Sequence, residues 1–430
     1  MHAAALRDAV KRDDGRAVLL GYSGGLDSGV LLHLLAGDAG IRGHGLRAIH
    51  VHHGLHPDAD AWAAHCMREC AALGVPLQVV RVEVERDSGL GLEGAARAAR
   101  HRAFEHALRD GEILALAHHR DDQAETFLLR ALRGSGVDGL AAMRPWRAFA
   151  SGWLWRPLLD LPRDALQVHA HTHGLRWIED PTNADAGFDR NFLRQRVLPL
   201  LRERWPHASA SLARSAELSG QASHLLERED AAALQRAMRD ARTLDVEALQ
   251  AMRGERRARV LRRWIAGLGL PALPANGIDA IESGLMTAPA DANACFDWAG
   301  ARVQRWRNLL HAGRLRDPLP ADWSQHWDGR APLALPTGDR LELVGADRFE
   351  APLRAHARQG GERILLVGRT HHHSLKHVLQ ECEAPPWQRT RMPLLSDGDE
   401  LLAAGDGILC ARMDAWLRTR RASLRWIAVA

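Results

Sequence analysis

Residues 19–28 read Leu-Leu-Gly-Tyr-Ser-Gly-Gly-Leu-Asp-Ser, and this stretch decides the class of fold. The apolar run 17–22 is typical of a buried strand, and the apolar residues after Ser28 have the spacing of a helix. The two glycines between them let the backbone approach an anion closely, because they carry no Cβ atom. Successive N–H groups at such a turn, together with the helix N-terminus, bind phosphate. The stretch therefore predicts a phosphate-binding loop over residues 23–28.

Asp27 is the residue of this loop that a purely structural role explains least. A carboxylate repels phosphate unless a cation lies between them, and Mg²⁺ supplies such a bridge. The loop lacks the lysine of a Walker A motif and the spacing of a GxGxxG motif. Its pattern resembles instead the PP-loop of N-type ATP pyrophosphatases, although an ordinary strand-to-helix turn is the structural alternative. The resemblance implies that ATP is bound by Ser23, Gly24, Gly25, Leu26, Asp27 and Ser28.

The composition fits two or three domains with substantial cores, since the chain has 430 residues of which 46% are hydrophobic. Lys11 and Lys376 are the only lysines, so the basic residues are almost all arginine. Arginine binds phosphate and stacks on bases, which fits a nucleic-acid partner, but a GC-rich genome produces the same bias. Five scattered cysteines predict no disulfide framework. With no signal peptide or membrane-spanning run in the sequence, we expect a cytoplasmic protein.

Strand-like and helix-like segments alternate over residues 1–205, which predicts an α/β catalytic domain with a doubly wound parallel sheet. The strand-like runs are 17–22, 46–51, 77–84 and 113–117, with a further run at 153–159. Because the phosphate loop follows the first strand, we expect the active site at the carboxyl ends of the strands. Two further domains are expected: an Arg-rich helical middle domain over 206–340, and a small α+β C-terminal domain over 341–430.

A second polar cluster begins where the fourth strand ends and a helix starts. It reads His-His-Arg-Asp-Asp-Gln-Ala-Glu-Thr over residues 118–126. Asp122 and Glu125 are three residues apart and share a helical face, where they are suited to bind Mg²⁺ or an ammonium group. The structural alternative is a capped helix start, with Asp121 as N-cap.

A pair of arginines later in the chain has the same kind of spacing. Arg190 and Arg194 are four residues apart, so they share one helical face. This face is suited to bind a phosphate or the substrate backbone, and a solvated arginine face is the alternative. A zinc site among the histidines of residues 50–56 is the less favoured interpretation, because their place at the end of a strand favours substrate contact or capping.

Six motifs occur in an order that resembles the tRNA(Ile)-lysidine synthase family. They are Ser-Gly-Gly-Leu-Asp-Ser at 23–28, His-Val-His-His-Gly-Leu at 50–55, Asp-Asp-Gln-Ala-Glu-Thr at 121–126, Arg-Gly-Ser-Gly at 133–136, Glu-Asp-Pro-Thr-Asn at 179–183 and Arg-Asn-Phe-Leu-Arg at 190–194. A Pro-Pro-Trp segment at 385–387, followed by Arg389 and Arg391, resembles the last domain of that family. The similarity covers most of the chain and is weakest over 206–340.

The resemblance implies a ligase that acts on the CAU anticodon of a minor isoleucine tRNA. Such an enzyme uses ATP to adenylate O2 of the wobble cytidine, with release of pyrophosphate. It then couples the ε-amine of free lysine to C2 and releases AMP, so that the tRNA identity changes from methionine to isoleucine. The implied partners are this tRNA and free lysine, with a homodimer as one option for the assembly.

The resemblance also implies roles for individual residues. Asp122 and Glu125 are expected to bind lysine, and Asp27 is expected to contact Mg²⁺. Either Arg97 or Arg100 matches an active-site arginine, and the sequence leaves the choice open. The expected catalytic residues are Asp27, Arg97, Arg100, His118, Asp122 and Glu125. The expected tRNA-binding residues are Arg190, Asn191, Arg194, Arg389 and Arg391.

The chemistry of the implied reaction agrees with these residue types. Adenylation turns the pyrimidine O2 into a good leaving group, AMP, and arginine and Mg²⁺ stabilise charge on the α-phosphate. A lysine ε-amine, with a pKa of about 10.4, must lose a proton before it attacks, and a carboxylate can bind it and relay that proton. One alternative is a PP-loop thiolase. Such enzymes commonly carry CxxC cysteines and a lysine at the place of Leu26, and this sequence has neither, which counts against sulfur transfer. The other is a noncatalytic RNA-binding protein, against which the retained carboxylates count.

Overall fold

The chain folds into two compact units, Met1–Arg228 and Glu229–Ala430. The structure is a computed structural model, and it describes residues 2–11, 14–85, 91–184, 187–289 and 294–428. Over these ranges, no helix is both long and apolar enough to cross a membrane.

A six-stranded sheet forms the centre of the first unit. Strands β1 to β6 are Val18–Gly21, Leu46–His52, Leu77–Arg81, Ile113–Ala115, Trp146–Phe149 and Gly152–Trp155. They are arranged in the order β3-β2-β1-β4-β6-β5, and every pair is parallel except β5 with β6. The order extends outward from β1 in both directions, which confirms the predicted doubly wound sheet. The antiparallel hairpin of β5 and β6 was not predicted.

Helices cover both faces of this sheet. Helices α1 to α11 are His2–Val10, Leu26–Gly37, Ala39–His44, Ala59–Ala72, Gly91–Ala107, Arg120–Leu132, Val137–Leu140, Arg163–Thr172, Asp189–Phe192, Leu198–Arg204 and Ala208–Ala237. Side chains alternate along β1, so Leu20 packs in the cluster that contains Leu31 of α2, while Leu19 packs with Phe104 of α5. Burial on both faces explains why the strands are continuous apolar runs in the sequence.

The carboxyl edge of the sheet receives the two predicted clusters. The phosphate loop connects β1 to α2, and α6 begins shortly after β4. Because β1 and β4 are parallel neighbours, the starts of α2 and α6 lie at the same edge. A π-helical turn, Leu193–Val197, joins α9 to α10 and carries Arg194. Such turns inside helices are frequent at functional sites.

The second unit combines short helices with antiparallel sheets. Helices α12 to α17 are Val246–Gln250, Gly254–Gly267, Ala275–Asp279, Leu375–Glu381, Pro386–Arg389 and Ala411–Arg420. Strands β7 to β21 are Met238–Asp240, Thr243–Asp245, Cys295–Trp298, Ala301–Trp306, Leu309–Arg314, Ser324–Trp327, Leu333–Ala334, Arg340–Val344, Leu353–His356, Arg363–Ile364, His373–Ser374, Leu394–Asp397, Glu400–Ala404, Ile408–Leu409 and Ser423–Ile427. They build sheets in the orders β7-β8-β11-β10-β9, β12-β15-β18-β19-β20, β13-β14-β21 and β16-β17.

These elements confirm a helical middle region and a strand-rich C-terminal region. The middle region also contains a five-stranded antiparallel sheet, which packs with its helices around Trp264 and Ile281. A separate apolar cluster that includes Leu341 and Leu394 extends from Leu319 to Leu424. The domain boundaries at 205/206 and 340/341 stay predictions.

Candidate active site

The serines of the phosphate loop are hydrogen-bonded to one another and to the loop backbone. Ser28 Oγ donates to the carbonyl oxygen of Gly25 at 3.0 Å and lies 3.0 Å from Ser23 Oγ. Ser23 Oγ also accepts from the N–H of Gly25 at 3.3 Å. These bonds hold the turn in one shape before any ligand binds.

Gly24 is the loop position that only glycine fits. Its φ of +84° lies in the left-handed region, and a Cβ atom there would come within 2.6 Å of Ile178 Cδ1 and 2.8 Å of Cys66 Sγ. The carbonyl oxygen of Gly24 accepts from the N–H of Ile178 at 2.9 Å. The loop is therefore packed directly against the segment that leads to the Glu-Asp-Pro-Thr-Asn motif.

Asp27, in the first turn of α2, faces two basic side chains. His119 Nε2 lies 3.7 Å from Asp27 Oδ2, and Arg163 Nε lies 3.6 Å from Asp27 Oδ1. Asp27 Oδ1 and Arg163 Nε are both buried atoms without a hydrogen-bond partner. Unsatisfied buried polar atoms cost free energy, so a ligand that bonds to them gains affinity. Arg163 was missed in the sequence because it belongs to none of the six motifs and reaches Asp27 only through the packing of α8.

The start of α6 is capped by His119, and not by Asp121 as in the structural alternative. His119 Nδ1 accepts from the N–H of Asp122 at 3.4 Å, and Asp122 Oδ2 accepts from the N–H of His119 at 3.0 Å. Asp121 instead accepts from the N–H of Arg163 at 3.1 Å and pairs with Arg202 of α10. Asp121 therefore fastens the start of α8, which places Arg163 beside the loop.

His119 stands between two carboxylates. Although its burial disfavours the charged form, Asp27 and Asp122 raise the pKa of His119.

Asp122 and Glu125 are bound by both predicted arginines. Asp122 Oδ1 accepts from Arg190 Nη2 at 2.9 Å and from Arg194 Nη2 at 3.1 Å. Glu125 Oε2 accepts from Arg190 Nε at 2.7 Å and from Arg194 Nη2 at 3.0 Å, while Glu125 Oε1 accepts from Arg194 Nε at 2.6 Å. We call these four residues the acid–arginine network. It brings together two motifs that the sequence could not place relative to each other.

Burial makes the acid–arginine network energetically important. The exposed fraction of Glu125 is 0% and that of Asp122 is 8%. Burial opposes the ionisation of Asp122, but the charges of His119 and Arg190 hold its pKa well below the usual range. Burial likewise opposes the charge of Arg194, and the bond to Glu125 raises the pKa of Arg194 above its ordinary value. The carboxylate of Asp122 and the guanidinium of Arg194 are therefore both charged at neutral pH.

His118 lies beside this network and close to several arginines. Burial lowers the pKa of His118 to about 3, and Arg156, Arg190 and Arg97 act in the same direction against the opposing charge of Asp122. Arg97 therefore lies near His118, whereas Arg100, on the same helix, acts on His53. Which of the two arginines is catalytic stays a prediction.

The other predicted residues are held by backbone contacts. Asn191 Nδ2 donates to the carbonyl oxygen of Thr182 at 3.0 Å. In the second unit, Arg389 Nε donates to the carbonyl oxygen of Ala384 at 2.5 Å, and Arg391 Nε donates to that of Trp387 at 3.2 Å. These contacts give each side chain a structural role beside its predicted one.

Two histidines of residues 50–56, His50 and His52, have polar partners of their own. His50 Nδ1 bonds to the carbonyl oxygen of Tyr22 at 3.0 Å, and His52 Nε2 lies 3.1 Å from Asp60 Oδ1. In the part of the chain that the structure describes, no group of three or more His, Cys, Asp or Glu side chains is placed to hold a metal ion.

Three family models match the chain. A PP-loop domain matches residues 2–201, a TilS substrate binding domain matches 244–311, and a TilS substrate C-terminal domain matches 353–426. Together they follow the chain from the phosphate loop to the last strand.

Curated relatives named tRNA(Ile)-lysidine synthase are similar over almost their whole length. The relative from Xanthomonas axonopodis pv. citri (strain 306) is 58% identical, over 95% of this chain and 93% of the relative. The relative from Xylella fastidiosa (strain Temecula1 / ATCC 700964) is 52% identical over 96% of each chain. The relative from Pseudomonas syringae pv. tomato (strain ATCC BAA-871 / DC3000) is 43% identical over 95% of this chain and 92% of the relative. The chain therefore belongs to the tRNA(Ile)-lysidine synthase family, whose members are ligases that form a carbon–nitrogen bond.

Proposed function

We propose that this chain ligates free lysine to C2 of the wobble cytidine in the CAU anticodon of an isoleucine tRNA. In the first step, O2 of the cytidine attacks the α-phosphorus of ATP and pyrophosphate leaves. In the second step, the ε-amine attacks C2, the C2–O2 bond breaks and AMP leaves with that oxygen, while the amine gives up its protons. The observation that carries the proposal is a phosphate loop and a buried pair of carboxylates at one edge of a single sheet.

The phosphate loop and Asp27 are proposed to bind ATP together with Mg²⁺. Asp27 Oδ1 is a buried acceptor without a hydrogen-bond partner, which fits a ligand to a cation. Mg²⁺ is usually held by one or two carboxylates together with phosphate oxygens and water, so it requires no larger cluster of protein ligands. When bound, the ion would neutralise charge on the phosphates during the attack.

The acid–arginine network is proposed to bind the ammonium group of lysine. A carboxylate has about four acceptor sites. Arg190, Arg194 and the N–H of His119 use three on Asp122, and the two arginines use three on Glu125. About one acceptor site remains on Glu125, whereas His119 Nε2, 3.4 Å from Asp122 Oδ2, faces the fourth site of Asp122. An ammonium group has three donors, and it would replace this contact to reach both carboxylates. Contacts of Arg190, Asn191, Arg194, Arg389 and Arg391 with tRNA stay predictions.

The direct test measures pyrophosphate release and lysine incorporation by the full chain. We expect radioactive lysine to enter a CAU isoleucine tRNA transcript in the presence of ATP, and not the same transcript with uridine at the wobble position. Pyrophosphate release without lysine incorporation would favour another PP-loop tRNA modifier, such as a thiolase. Binding of tRNA without pyrophosphate release would favour a noncatalytic RNA-binding protein.

Arg163 is expected to contribute to ATP binding. Its Nε atom is buried without a partner beside Asp27, so a phosphate oxygen is a suitable acceptor for it. Arg163→Ala should raise the KM for ATP about tenfold, which corresponds to about 1.4 kcal/mol, without changing the KM for lysine. Asp164→Ala, at the exposed next position of α8, is the control. An unchanged KM for ATP in the Arg163 variant would show that this side chain does not touch the nucleotide.

The exposed arginines of α13 and the residue before it are expected to contact tRNA phosphates. Arg257 and Arg259 are engaged inside the second unit, with Glu282 at 2.8 Å and Asp230 at 2.7 Å. Arg253, Arg262 and Arg263 are exposed. Changing these three to glutamate should weaken tRNA binding. The slope of the logarithm of the binding constant against the logarithm of the salt concentration should become less steep by roughly 1 for each lost phosphate contact.

Binding of tRNA across a salt series checks this expectation. The control carries the same change of charge at three exposed arginines of the first unit, Arg7, Arg16 and Arg109. Arg16 and Arg109 precede β1 and β4, so they lie at the amino edge of the sheet. Equal slopes for the two triple variants would mean that the α13 arginines are ordinary surface.

A further inference from the structure

The most informative unassigned residue is Arg156, whose side chain is held at both ends. Arg156 follows β6 directly, and its exposed fraction is only 6%. Its Nε donates to His118 Nδ1 at 3.2 Å, and its Nη1 donates to the carbonyl oxygen of Arg144 at 2.7 Å. The backbone N–H of Arg156 also donates to the carbonyl oxygen of Pro145 at 2.9 Å. Backbone and guanidinium are thus both fixed, and the guanidinium is aimed at the imidazole.

The contact with Arg156 determines where the proton of His118 lies. A guanidinium has five N–H donors and no acceptor, so the Nδ1 atom that faces it must carry a lone pair. A neutral imidazole has one protonated nitrogen, and that nitrogen is then Nε2.

The surroundings of His118 keep the ring neutral as well. Asp122 is the carboxylate that acts on it, and Arg156, Arg190 and Arg97 supply three positive charges against that one. A second proton would have to be added at Nδ1, where the guanidinium of Arg156 already lies. Protonation would therefore break the hydrogen bond and place two cations in contact.

We propose that Arg156 is a positioning residue that holds His118 in the Nε2–H tautomer, so that His118 serves the reaction as a hydrogen-bond donor and not as a proton acceptor. The proposal rests on the proposed function, because it assumes that His118 contacts the substrates. A fixed N–H donor suits an oxygen on which negative charge develops, such as an oxygen of the α-phosphate. The protons released by the attacking amine must then go to a carboxylate or to solvent.

The tautomer itself is measured first, in the unmodified full chain. Histidine labelled with ¹⁵N gives separate nitrogen shifts for protonated and unprotonated ring positions, and His118→Asn identifies which signals belong to His118. At neutral pH we expect Nδ1 to be unprotonated and Nε2 to be protonated. A proton on Nδ1, or a doubly protonated ring, would overturn the proposal without any reference to catalysis.

Variants then test whether Arg156 causes the tautomer. Arg156→Met removes the donor at similar length, and we expect mixed tautomers and a kcat that falls by roughly tenfold to a hundredfold, the range known for partners that orient metal-binding histidines. Arg156→Gln retains an N–H donor without the charge and should restore the tautomer and part of kcat. Arg144→Met is the control, because it removes a neighbouring guanidinium that pairs with Glu227. It should change neither the tautomer of His118 nor kcat.

The outcomes separate this proposal from the proposed function. If Arg156→Met leaves the shifts of His118 unchanged, Arg156 does not set the tautomer, even if activity falls. If the tautomer is as expected but no variant of His118 or Arg156 alters kcat, the donor role is wrong. Failure of the unmodified chain to incorporate lysine would instead contradict the proposed function, and the measured tautomer would stand.

Discussion

Asp27→Asn is expected to reduce pyrophosphate release from ATP by roughly 10²–10³-fold, the usual effect of removing one group that stabilises charge in the transition state. Asparagine retains the size of the side chain but removes the charge that attracts Mg²⁺ and Arg163. Because Asp27 Oδ1 has no hydrogen-bond partner, the substitution breaks no hydrogen bond at that atom, and the unfolding midpoint should change little. Pyrophosphate release is measured with saturating ATP and cognate tRNA.

The matched control for this variant is Asp164→Asn. Asp164 also lies in the first turn of a helix, α8, but it is exposed. Its substitution tests the general effect of removing an acidic residue from a helix start, which is worth only about 0.3–1 kcal/mol. Near wild-type pyrophosphate release by Asp27→Asn would contradict the assignment of Asp27 to the metal and the phosphates.

Glu125→Gln is expected to weaken the use of lysine more than adenylation. Removal of one charged partner from a desolvated ammonium costs about 2–5 kcal/mol, so the KM for lysine should rise by roughly 30-fold or more. Adenylation of the tRNA in the absence of lysine should change much less. The two quantities are measured separately, as the KM for lysine and as the lysine-independent formation of adenylated tRNA. Asp122→Asn should give the same pattern.

A loss of stability accompanies this substitution and needs its own control. Breaking a buried ion pair leaves an unpaired charge and costs about 3–5 kcal/mol. In the double variant Glu125→Gln/Arg194→Gln that charge is gone, so the free energy of unfolding should recover while lysine use stays poor. If adenylation falls and the KM for lysine is unchanged, the acidic pair serves ATP or the metal instead.

The parts of the fold that the sequence predicted are those with a local signal. Strand β1, the glycine turn and helix α2 follow one another within twenty residues, and burial on both faces gives continuous apolar runs. The run at 153–159 overlaps β6, but its hairpin partner β5 lacks such a signal, because three of the four residues of β5 are exposed. The middle region was predicted as a helical domain, and the strands between its helices, Met238–Asp240 and Thr243–Asp245, were missed because each has only three residues.

The parts of the site that the sequence could not predict depend on contacts between distant residues. Arg163 reaches Asp27 only because Asp121 fastens the start of α8, and Arg156 reaches His118 across two neighbouring strands of the sheet. Helical spacing placed Arg190 and Arg194 on one face, but it could not show that the face is turned toward carboxylates. Asp121 was considered as N-cap because aspartate is favoured there, whereas a histidine cap has no comparable signal.

The acid–arginine network also bears on how the chain acquires activity during its synthesis. Arg194 bonds to Glu125 and Asp122, which precede it by 69 and 72 residues. At roughly 5–20 residues per second, a ribosome needs several seconds to add the arginines after the carboxylates. During that interval the nascent chain holds two acidic side chains whose burial without partners is costly. The acid–arginine network can therefore form only after Arg194 has been added, later than strands β1 to β6, which all precede it in the chain.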